Sequence, residues 1–85
     1  MKSITERKFG AKALKEYCTS DNQRILVSYQ TPVVIFDGTH FYITKQKHSA
    51  TTSKHINLYL REMPLAPVIH VLQEEIDSIA KELLE

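Results

Sequence analysis

The chain has little of what staples or punctuates a small protein. A single cysteine, Cys18, excludes an internal disulfide framework and a cysteine-based zinc site. Two glycines, Gly10 and Gly38, leave no glycine-rich phosphate loop. Tryptophan is absent, and no apolar run approaches the roughly 18 residues that cross a bilayer, so no membrane partner is expected. Residues 1–8 are polar where a secretory leader would be apolar, so no secretory signal is expected. Net charge is only +1, so bulk charge neither coats nucleic acid nor mimics it. What remains is 85 residues, 42% hydrophobic and 25% charged, the composition of one small globular domain.

The charges that are present are unevenly placed. Residues 1–61 carry ten Lys and Arg against four Asp and Glu, whereas residues 62–85 carry one Lys against six acids. A basic body with an acidic tail follows. Either the tail is a solvated helix face docked on the body, or the body meets an anion and the tail limits non-specific binding.

Periodicity predicts an α+β domain. Gly10 to Cys18 holds good helix formers and reads as a short N-terminal helix. Residues 24–30 alternate as a strand, Thr31-Pro32 interrupts it, and 33–36 form a second, apolar strand. Asp37-Gly38 reads as a two-residue hairpin turn with positive φ at both positions, and 40–44 as a third strand. The expectation is a three-stranded antiparallel meander over 24–44. Ile56, Tyr59, Leu60 and Met63 then mark one face of a helix over 51–63, capped by Thr51 or Thr52 and stopped by Pro64. Pro67 suits the first turn of a last, acidic helix over 67–84. Its stripe, Ile69, Leu72, Ile76, Ile79 and Leu83, covers the sheet or serves a homodimer.

The candidate site lies at the start of the 51–63 helix. Lys45, Lys47, His48, Ser49, Thr51, Thr52, Ser53, Lys54 and His55 fall within eleven positions. First-turn N–H groups and the helix dipole favour anions there, while each basic residue costs about 0.3–1 kcal/mol in an isolated helix. A bound phosphate would explain Lys45, Lys47, His48, Thr51, Thr52, Ser53, Lys54 and His55 together. The plain alternative is a capped helix start, with Lys54 in solvent and His55 bonded within the fold or stacked on Tyr59. A third reading makes His48 and His55 a general acid–base pair cleaving RNA, which requires them on opposite sides of one phosphate. The four histidines are too dispersed for a metal site, and no cofactor motif is present. Cys18 lacks an activating partner in sequence and reads as a small buried residue. Tyr29, Phe36, Phe41 and Tyr42 fall on the predicted strands. Phe41 and Tyr42 point to opposite faces, so one of them could stack a base.

Ser28-Tyr29-Gln30-Thr31-Pro32-Val33, then Tyr42-Ile43-Thr44, then Ser49-Ala50-Thr51-Thr52-Ser53-Lys54-His55-Ile56-Asn57 form a spaced set of motifs. The set resembles a family of small proteins encoded mainly by bacteriophages and prophages. It covers residues 26–60, and His48 stands where members of that family often carry Tyr or Trp. The resemblance implies a phage accessory protein in the bacterial cytoplasm that regulates nucleic-acid processes or blocks host defences. Three functions are therefore weighed. The first is a non-enzymatic module for a phosphate-bearing ligand, nucleic acid or nucleotide. The second is an inhibitor of a host bacterial defence protein, or a sequesterer of a nucleotide signal. The third is a small metal-independent ribonuclease.

Overall fold

The computed structural model describes residues 4–8, 14–63 and 65–84, with the backbone alone for 7 and 8. Six strands and two helices follow in the order β1 (Ile4–Lys8), β2 (Leu14–Thr19), β3 (Arg24–Ser28), β4 (Thr31–Phe36), β5 (Phe41–Thr44), α1 (Ala50–Glu62), β6 (Val68–Val71) and α2 (Gln73–Leu84). The strands form one sheet in chain order. The first five are antiparallel neighbours, and β6 lies parallel to β5. A parallel neighbour cannot be reached by a tight turn, and α1 supplies the crossover.

The domain is α+β, but the expected three-stranded meander is wrong: the sheet has six strands and is mixed. Two misread segments account for this. Residues 14–18, placed in an N-terminal helix, belong to β2; residues 10–13 of that helix lie outside the described residues. In β2, Leu14 and Glu16 are buried while Lys15 and Tyr17, which alternate with them, are half-buried. This period of two, sandwiched between β1 and β3, overrides local helix propensity. The last helix was expected from 67, yet Val68-Ile69-His70-Val71 is a strand and α2 begins at Gln73. Three β-branched residues in four suit a strand. Phe41 N–H donates to the Pro67 carbonyl (2.8 Å) and Lys45 N–H to that of Val71 (2.7 Å), which zips the segment onto β5.

The turns are corrected too. The tight hairpin turn is Tyr29-Gln30, which was placed in a strand; both residues have positive φ, 50° and 72°, as a type I′ turn requires. Pro32 lies inside β4 opposite Val27, where the register shifts between Leu26 and Val27, so its missing N–H falls at an irregularity of the ladder. Residues 37–40 form a looser turn. There only Gly38 takes positive φ, 102°. The Asp37 carboxylate accepts from the N–H groups of Thr39 (2.8 Å) and His40 (2.7 Å), and from the hydroxyls of Thr39 (2.9 Å) and Tyr42 (3.0 Å). Burial raises the Asp37 pKa, but those four donors outweigh it and hold the carboxyl at about 2.

Each helix covers one face of the sheet. Tyr59 of α1 packs with Leu14, Leu26, Val34, Phe36, Phe41 and Ile43. Ile76, Ala80 and Leu83 of α2 pack with Ile25 and Ile35. Neighbours in sequence, Ile25 with Leu26 and Val34 with Ile35, enter opposite cores, as strand alternation dictates. The apolar stripe of α2 is thus turned onto the sheet, and its first turn carries Glu74 and Glu75, where the dipole favours acids. Among the described residues, no helix is long and apolar enough to cross a membrane.

Candidate functional site: a buried polar seam beneath an exposed tyrosine

The site starts at the N-terminus of α1, where the cap lies two to three residues before the threonines that the sequence suggested. Ser49, with φ −64° and ψ 162°, is the N-cap, and its hydroxyl accepts from Thr52 N–H at 3.2 Å. Thr51 is exposed, whereas Thr52 is buried and points to the sheet. Its Oγ1 lies 3.2 Å from both the Ser49 and the Ser28 hydroxyls. Ser28 Oγ in turn lies 2.9 Å from Nδ1 of buried His55. A continuous polar seam therefore runs Ser49–Thr52–Ser28–His55 between the helix and the end of β3. It joins the two motif segments, 28–33 and 49–57, that are separated by fifteen residues in sequence.

Tyr29 closes this seam. Its ring stacks on His55 with centroids 6.0 Å apart, not on Tyr59 as the sequence suggested for His55. The turn leaves Tyr29 57% exposed. Asn-Gly is the usual occupant of such a turn; a tyrosine and a glutamine held there store roughly 1–2 kcal/mol of backbone strain each. Strain of this kind gathers at functional positions. Tyr29, not Phe41 or Tyr42, is the projecting aromatic: Phe41 is buried against Phe36, and the half-buried Tyr42 donates to Asp37.

Further along the α1 face, Glu16 is fully buried and accepts from the Tyr59 hydroxyl at 2.6 Å, with Arg24 Nη1 at 3.5 Å and Cys18 Sγ at 3.5 Å. Cys18 is half-buried beside this carboxylate and does not serve as a plain apolar filler. Burial, reinforced by donation to Glu16, pushes the Tyr59 phenol far above its usual range.

The eight predicted anion ligands do not form one pocket. Thr52 and His55 meet through Ser28. Lys54 and His55 share an open hollow of about 390 Å³ with Asn57, Leu58 and Arg61. Lys45 lines a different hollow with Gln46, Leu72, Gln73 and Glu74. His48 Nε2 lies 3.0 Å from the Gln73 side-chain oxygen, bracing the approach to α1 against α2. Lys47, Thr51 and Ser53 are exposed, and Ser53 N–H is taken by the Ser49 carbonyl. His48 and His55 are thus engaged by separate partners. Because the helix begins at Ala50, Lys54 is its fifth residue and lies past the turn where a cation is most disfavoured.

The basic feature that does emerge is a stripe. Lys54, Asn57, Leu58 and Arg61 follow helical spacing on the outer face of α1, with Lys54 and Arg61 roughly 10 Å apart along the axis. The stripe runs beside the Tyr29–His55 pair. On the far side of the turn, Tyr29 and Gln30 border a hollow of about 540 Å³ floored by Val27, Pro32 and Ala80. Sequence reasoning missed Tyr29 and Arg61 as members of this site. The i, i+7 spacing from Lys54 to Arg61 was the available signal for the second.

Fold and site together define a mixed-sheet α+β domain with a buried hydroxyl–imidazole seam capped by a strained, exposed aromatic turn. Residues 2–78 match a family of unknown function (DUF8033), and the chain belongs to it. No curated protein and no solved structure matches the chain.

Proposed function

We propose that this protein is a non-enzymatic binding module for a phosphate-bearing ligand with an exposed base, single-stranded nucleic acid or a nucleotide. The observation that carries this reading is Tyr29, exposed on a strained turn and backed by the His55 ring. One ring face rests on His55 and the rest is open to a base, for which stacking contributes about 1–3 kcal/mol. Lys54 and Arg61 are spaced to meet phosphates of the same strand, and Asn57 between them supplies amide hydrogen bonds. The seam below holds His55, and through it Tyr29, in one orientation. The resemblance to phage proteins supports a role as an accessory factor in the bacterial cytoplasm.

Fluorescence anisotropy with a labelled single-stranded oligonucleotide tests the proposal. Tyr29→Ala should weaken binding roughly 5- to 150-fold without unfolding the protein. Lys54→Ala and Arg61→Ala should each lower the slope of log affinity against log salt by about one. Unchanged affinity in Tyr29→Ala would remove the basis of this reading.

A further inference from the structure

The two edges of the sheet are built differently. At the β1 edge, Glu6 pairs with Lys15 at 3.2 Å, and the strand sequence, Ile-Thr-Glu-Arg-Lys, is charged. Such charges discourage strand addition. At the β6 edge the strand is Val-Ile-His-Val, and residues 64–73 contain no Asp, Glu, Lys or Arg. Val68 is 45% exposed and Ile69 39%, and Leu65 and Leu72 flank them in solvent.

The hydrogen bonds to β5 show which groups of β6 are used. Pro67 and Val71 turn their carbonyls towards β5. Strand alternation then directs the N–H and C=O groups of Val68 and His70 outward, where no strand of the described residues pairs with them. From this we infer that β6 is a dimer interface, and that its occupant is β6 of a second copy, antiparallel across a two-fold axis at Ile69.

The register is self-complementary. Val68 of one copy faces His70 of the other, and both copies offer the same outward groups, so four ladder hydrogen bonds form at once. Ile69 faces its own counterpart as a non-hydrogen-bonded pair, with Cα atoms roughly 4.5 Å apart. Ile69 lies opposite Tyr42 in the sheet, so this contact extends the α2-side core across the axis. The absence of charge along the segment lets two identical edges approach without repulsion, whereas nothing there would recognise a charged foreign strand. The result is a continuous twelve-stranded sheet, the isologous arrangement commonest among small oligomers. This surface is separate from the Tyr29 site.

Sedimentation velocity between about 1 and 100 µM should show a species of twice 9.8 kDa that accumulates with concentration. Ile69→Lys places two ammonium groups across the axis and should leave a monomer with the wild-type circular dichroism spectrum. Should that variant unfold, Ile69→Cys in a Cys18→Ser background decides: oxidation should link it as a dimer, while Leu58→Cys on α1 should stay unlinked. A wild-type chain that stays monomeric throughout this range overturns the inference. So does a dimer that survives Ile69→Lys, or one that cross-links through position 58 in preference to 69.

Discussion

The two faces of the sheet carry the same kind of helix on very different interiors. Beneath α2, the packed buried residues Ile25, Ile35, Ile76, Ala80 and Leu83 are apolar, and the buried polar side chain that alternation adds from β5 is Thr44, whose hydroxyl accepts from Gln46 N–H. Beneath α1, apolar residues share the interior with Glu16, Ser28, Thr52, His55 and the Tyr59 hydroxyl. An apolar core of this kind contributes stability and little else. Polar groups buried at low dielectric add little net stability even when every partner is present, and are costly when one is lost. Among the described residues, no buried side-chain nitrogen or oxygen lacks a partner, so the α1 interior is fully satisfied. It ends at the surface under Tyr29, whose exposed ring stacks on His55. One face therefore holds the fold together, and the other positions an aromatic ring.

The largest expected effects come from cutting each interior at its centre. Glu16→Ala removes the acceptor of the buried Tyr59 hydroxyl and the carboxylate facing Arg24, and should cost about 3–5 kcal/mol. Ile76→Ala on the other face should cost about 2–5 kcal/mol through its cavity. The two differ in repair rather than size. Ile76→Val should recover most of the loss, whereas Glu16→Gln should not, since the neutral amide accepts more weakly from Tyr59 and no longer answers Arg24. Urea denaturation of the four variants checks this. If Glu16→Gln is as stable as wild type, the two interiors do not differ in kind.

The smallest expected effect lies outside both interiors, at Asp37. Its folded pKa, about 2, sits below the ordinary carboxyl value, so its contribution is present above about pH 4 and is lost as pH falls through 2. Solvent screening keeps the effect under about 1 kcal/mol. Melting temperatures of wild type and Asp37→Asn, compared from pH 5 to pH 2, should converge as the pH drops. A gap that stays constant would mean that the Asp37 charge contributes nothing.

The same contrast decides what could be read from sequence. The α1 helix was expected over 51–63 and is found over Ala50–Glu62, because Ile56, Tyr59, Leu60 and Met63 keep helical period against a core. The α+β class was legible for the same reason. β2 was not, since Leu-Lys-Glu-Tyr favours a helix locally and only pairing on both sides makes it a strand. β6 merged with α2 because Ile69 and Leu72 happen to extend the stripe of Ile76 and Leu83 at helical spacing. In the site, the hydroxyl and histidine cluster was visible, but its direction was not. Thr52 and His55 point inward to Ser28, a contact across 24 and 27 positions that no local pattern encodes. Tyr29-Gln30 lacks the Asn or Gly that marks a turn with positive φ, so the residues that carry the strain conceal the turn itself.

The decisive measurement is a turn exchange, Tyr29→Asn with Gln30→Gly, followed by chemical denaturation and oligonucleotide anisotropy on the same protein. Relief of strain at both positions, offset in part by loss of the Tyr29–His55 stack, should raise stability by about 1–2 kcal/mol net, while loss of the aromatic platform should reduce binding to that of Tyr29→Ala. A variant that is stabilised and still binds as wild type does would contradict the assignment of Tyr29 as the ligand platform. A variant that loses stability would contradict the strain on which that assignment rests.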